Sequence, residues 1–96
     1  MAKSVFSPRA EEDLRKIWRS IAPDNERAAD ELLRRIVSKI ELAAEHSLMG
    51  VARSELSRTA RILIEGYYII IYEPMTYGIF VVAIVHGARN VDNWLD

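Results

Sequence analysis

No cysteine occurs among the 96 residues. That absence excludes a disulfide framework and a thiolate zinc site, and it suits a reducing compartment. No secretory leader is expected either, because "MAKSVFSPRAEEDL" has a lysine near its start but no apolar run behind it. Long hydrophobic stretches are missing: the longest uninterrupted apolar run, Ile79 to Val85, is far too short to span a bilayer. Basic charge is not in excess. Thirteen Lys and Arg stand against fourteen Asp and Glu, for a net charge of −1 and a pI near 6.1, whereas non-specific nucleic-acid binders show a basic surplus that releases counterions from phosphates. Repeats and low-complexity linkers are absent as well. The expectation is a soluble, cytoplasmic protein with no membrane contact, no metal, no cofactor and no direct DNA binding. What is present, half apolar and 28% charged, fits one compact domain over residues 1–96.

The hydrophobic period changes once, near Gly50. From Ser7 the text reads "SPRAEEDLRKIWRSI". Ser7 can cap free amides, Pro8 fits a first helical position, and Glu11, Glu12 and Asp13 lie near the positive end of the dipole. Ala10, Leu14, Ile17, Trp18 and Ile21 recur at three-to-four spacing, which makes the helix amphipathic. "APDNE" breaks it at Pro23. A longer helix follows, with Ala29, Leu32, Leu33, Ile36, Ile40 and Ala43 in phase. So short a connection requires antiparallel packing of the two.

Beyond Gly50 the residues become β-branched and aromatic. "TARILIEGYYIIIYEPMTYGIFVVAIVHG" holds three runs separated by Glu65-Gly66 and by "PMTYG", which predicts a three-stranded antiparallel meander. "KSVF" is long enough only for a short strand, at an edge or beside the last strand. The fold class is therefore α+β: a short N-terminal strand, an antiparallel helix hairpin packed on one face of a small, mainly antiparallel sheet, and a short C-terminal tail.

Strand parity assigns the faces. In the middle run Tyr68, Ile70 and Tyr72 are expected to face the helices, with Ile69, Ile71 and Glu73 opposite. In the first run Arg61 and Glu65 share a face with Leu63, which places Leu63 outward and Ile62 and Ile64 inward. The outer face is then apolar, and such a patch usually marks a partner site. The competing reading is that the C-terminal segment folds back over it.

The order "SPRAEEDLRKIW", helix hairpin, "RILIEGYYIIIYE" and "IFVVAIVHGARN" resembles ParE-type toxins of the RelE/ParE toxin–antitoxin superfamily. The motifs that carry the resemblance are Arg61 with Gly66, Tyr68, Ile70 and Tyr72, and the closing His86, Gly87 and Arg89. Departures are Leu48, where relatives often have proline, and Phe80 and Ala83, where they often carry charge. The resemblance implies a toxin that binds DNA gyrase and blocks replication. It also implies a ParD-like antitoxin that covers the apolar face, here Leu63, Ile69, Ile71 and Phe80, and that supplies contact with operator DNA.

The alternatives within the superfamily are a RelE-like ribosome-dependent mRNA endoribonuclease and an inactive RelE-fold binding module. Cutting RNA through its 2′-OH needs a base, an acid and a cation for the phosphorane. The sheet half has Arg53, Arg58, Arg61 and Arg89 but no lysine, and "NVDNWLD" has neither tyrosine nor histidine. The catalytic set is incomplete, so no catalytic residue is assigned. His86 beside the Gly87 turn reads as structural or binding, with Glu73 or Asp92 as candidate partners. Arg61, His86, Arg89 and Trp94 are the candidate target contacts, Arg and Trp being enriched as interface anchors. For Trp94 the alternative is a plug for the core.

Overall fold

The computed structural model describes residues 2–87. Its order is β1 (Lys3–Phe6), α1 (Pro8–Ile21), α2 (Glu26–Glu45), β2 (Val51–Ala52), β3 (Arg61–Glu65), β4 (Tyr68–Met75) and β5 (Gly78–His86). The strands form one sheet in the order β1-β5-β4-β3-β2, antiparallel except where β1 runs parallel to β5. The expected α+β architecture is found, with the two-residue β2 as an addition at the β3 edge.

Local chemistry sets the helix ends. The Ser7 hydroxyl accepts from the Ala10 amide at 2.9 Å, and Pro8 occupies the first turn, where a missing N–H costs nothing. Asn25 does the same for α2, accepting from the Ala28 amide at 3.0 Å. Trp18 lies in the apolar phase of α1, yet its indole N–H donates to Asp30 at 2.7 Å, tying the two helices together at their polar rim. Among the described residues no helix is long and apolar enough to cross a membrane.

The main core lies between the helix hairpin and one face of the sheet. Ile36 and Ile40 of α2 meet Ile70 and Tyr72 of β4 and Ile79 and Val81 of β5, all fully buried. The expected inward parity of β4 is correct. That of β3 is not. Leu63 pairs with Ile70 and is 6% exposed in the helix-side core, while Ile62 and Ile64 pair with Ile71 and Ile69 on the outer face. Arg61 and Glu65 follow Leu63 to the helix side. They tolerate it because both find partners there: Glu65 receives Arg35 and Lys39 of α2 at 3.4 Å each, and Arg61 donates to loop carbonyls. A charge at the rim of a packed face needs only an opposite charge or a carbonyl within reach, not solvent on the far side.

β5 changes parity midway. Tyr72 pairs with Val81 but Ile71 pairs with Ala83, so Val82 is an extra residue, a β-bulge. The bulge explains the apolar residues at both parities: Ile79, Val81 and Ile84 face the helices, whereas Phe80, Ala83 and Val85 face outward. At the other end of β5, Gly78 has φ +143° and a Cβ there would sit 2.0 Å from the Lys3 carbonyl oxygen, so only glycine lets β1 approach.

Candidate interaction surfaces

Three places on this scaffold gather residues with a binding capacity. The first is the loop that leaves α2. Tyr72 is fully buried, but its hydroxyl reaches the loop, donating to the Ser47 carbonyl at 2.8 Å and accepting from the Gly50 amide at 2.9 Å. Burial raises the pKa of this phenol above its ordinary value, against smaller opposing effects of the Gly50 amide and the Arg61 charge. Arg61, directly opposite Tyr72, donates through Nη1 to the Leu48 carbonyl at 3.0 Å and the Gly50 carbonyl at 2.7 Å. Gly50 lies so close that a Cβ would fall 2.6 Å from the Tyr72 hydroxyl. The backbone is thereby held while Leu48 (68% exposed) and Val51 (65% exposed) project outward.

The second place is the outer face of the sheet. Ile62, Ile71 and Ala83 are buried there, with Leu56, Ile69, Val82 and Val85 packed against them. Leu56 comes from the segment between β2 and β3, so this face is less open than parity alone predicts. Its accessible apolar part is Ile64, 59% exposed, with half-buried Ile69 beside it and half-buried Phe80 toward β1. Of the residues expected on this face, Ile69, Ile71 and Phe80 lie on it, and Leu63 does not. Ile64 takes its place. The sequence held a signal for this, since Leu63 stands opposite Ile70 once the Gly66-Tyr67 turn is fixed as a two-residue loop.

The third place is the tip of the β3–β4 hairpin. The exposed Tyr67 ring stacks on His86 at 6.0 Å with an 11° interplanar angle, and Tyr68 meets His86 edge-on at 5.3 Å. Glu73, a candidate partner for His86, is placed elsewhere: it pairs with Phe80 and accepts from the Thr59 hydroxyl, whereas His86 pairs with Tyr68. Asp92, Arg89 and Trp94 lie outside the described residues. Arg61 and His86 are not brought together: Arg61 pairs with Tyr72 and His86 with Tyr68, four positions apart along β4.

A family model described as the ParE toxin of the parDE type II toxin–antitoxin system matches residues 5–91. Among solved structures, a chain of the chromosomal ParDE toxin–antitoxin system from P. aeruginosa aligns with a TM-score of 0.75 at 17% identity. That alignment covers 90% of this chain and 96% of that one. No curated protein matches.

Proposed function

The chain belongs to the ParE toxin family of parDE type II toxin–antitoxin systems, and from that premise we propose that it acts by binding DNA gyrase and blocking replication, and that a ParD-like antitoxin neutralises it. The observation that carries the binding reading is the apolar outer face, where Ile64 is 59% exposed next to Ile69 at one end of the sheet, and half-buried Phe80 lies on the same face near β1. A partner that covers Ile64, Ile69 and Phe80 removes apolar area from water, the main favourable term in protein association. That partner is the antitoxin, which would also provide any contact with operator DNA.

Inhibition is stoichiometric in this reading. Arg61 supports it, because its Nη1 is engaged by two loop carbonyls, a structural use of the side chain. His86, stacked on Tyr67 and met edge-on by Tyr68 at the hairpin tip, and Arg89 and Trp94, later in the sequence, are the proposed target contacts.

The deciding experiment is inducible expression in bacteria, with DNA, RNA and protein synthesis followed together, and a gyrase supercoiling and cleavage assay on the purified chain. Early arrest of DNA synthesis with stabilised gyrase cleavage complexes is the expected outcome. Early loss of translation with ribosome-dependent mRNA cleavage would overturn the proposal in favour of a ribonuclease, and no effect on growth would leave only a binding module.

A further inference from the structure

The sheet has an exposure problem at β5 that α1 resolves. β1 is four residues long and pairs only with Gly78 to Val81, so among the described residues no strand lies beside the outer edge of β5 from Val82 to His86. An uncovered edge is a template for another chain. This one is particularly hazardous, because Ile79 to Val85 carries no charge, no proline and no glycine and is rich in β-branched residues, the composition of self-pairing strands.

Side chains of the first turns of α1 occupy that edge. The Ser7 amide donates to the Val81 carbonyl at 2.9 Å, and the Ser7 hydroxyl donates to the Val82 carbonyl at 2.7 Å while accepting from Ala10. One turn further on, Asp13 Oδ2 accepts the Ile84 amide at 2.9 Å. Its side chain is only 17% exposed, and Arg9 Nε stands 3.7 Å away. An aspartate that only favoured the helix dipole would do so equally well from the solvent side. Here the carboxylate is turned onto a strand edge.

We propose that Ser7 and Asp13 form an edge lock, in which α1 stands in for a strand along the second half of β5 and prevents that edge from pairing with another copy of this chain. The Val82 bulge assists, since it twists the edge and breaks the regular ladder at the place where β1 ends. Ser7 links the two events, capping the helix and closing the strand with one hydroxyl. Asp13 is the residue on which the lock depends, because among the described residues its carboxylate is the acceptor that the Ile84 amide meets.

The test is amide exchange at Ile84 together with mass against concentration, for the wild type, Asp13→Ala and Asp13→Asn. In the wild type the Ile84 amide should exchange about as slowly as the β5 amides bonded to β4. Asp13→Asn keeps an acceptor oxygen and should retain most of this protection. Asp13→Ala should lose about tenfold or more of it, as expected for one hydrogen bond to a charged acceptor. It should also self-associate at concentrations at which the wild type keeps its mass. A folded Asp13→Ala with wild-type mass throughout, or with Ile84 protection unchanged, overturns the lock. Should that variant fail to fold, wild-type exchange decides: an Ile84 amide as fast as an unstructured one overturns the proposal, and a slow one that speeds up in Asp13→Asn only slightly sustains it.

Discussion

Arg61 and Tyr72 stand opposite each other across β3 and β4 and grip the same loop from two sides, the guanidinium holding the Leu48 and Gly50 carbonyls and the phenol holding the Ser47 carbonyl and the Gly50 amide. A buried aromatic ring and a charged side chain at the rim thus share one task, fixing the exit from α2 to the far edge of the sheet. Tyr72 is part of the motif by which the chain resembles its family, and its contribution is architectural.

Tyr72→Phe should therefore lower stability by about 1–3 kcal/mol, because a buried amide and a carbonyl both lose their partner. Its pH dependence is separable. The folded-state pKa is raised above the unfolded value of about 10, so the folded chain holds the phenolic proton more tightly than the unfolded one. The resulting stability is fully present below about pH 10 and lost as pH rises toward the folded pKa. Denaturant titrations from neutral to alkaline pH should show the wild type converging on Tyr72→Phe above that point, with a constant gap below it.

Neighbouring β3 residues should respond in opposite ways. Leu63→Ala opens a cavity in the helix-side core and should cost about 2–5 kcal/mol. Ile64→Asp, at a site 59% exposed, should leave the melting temperature nearly unchanged and weaken antitoxin binding instead. Calorimetry of the two variants alone and titration with antitoxin separate the effects. Unchanged antitoxin affinity in a folded Ile64→Asp would remove the outer face as the antitoxin surface.

His86→Ala should fold and keep most of its growth inhibition, as a marginal target contact rather than an anchor. It loses two ring contacts, about 0.5–1.5 kcal/mol for each aromatic pair at most, and on the proposed binding mechanism no catalytic step. A folded variant without any toxicity, paired with mRNA cleavage by the wild type, contradicts this.

Arg89→Ala and Trp94→Ala should reduce gyrase inhibition about tenfold or more while leaving antitoxin affinity intact, as for anchors dedicated to one partner. A supercoiling assay and an antitoxin titration on the same preparations provide the check. Parallel loss of both bindings, with a lowered melting temperature, would show that these residues support the fold.

The sequence by itself determined whatever depends on neighbours a few residues away. Ser7-Pro8 starts α1, Asn25 starts α2 after the Pro23 break, Gly66 closes the β3–β4 hairpin, and alternation in β4 puts Ile70 and Tyr72 inward, because caps, turns and the strand period act over two to four residues. Tertiary structure decided the change of face along β5 and what the charged residues of β3 meet on the helix side. Arg61 and Glu65 read as solvent-facing until Leu48, Gly50, Arg35 and Lys39 are brought beside them from other elements. The Val82 bulge likewise comes from fitting β5 to β1 on one side and β4 on the other, and the Asp13 contact with Ile84 spans 71 positions of the chain. Such pairings follow from packing two layers together, and no period along the chain encodes them.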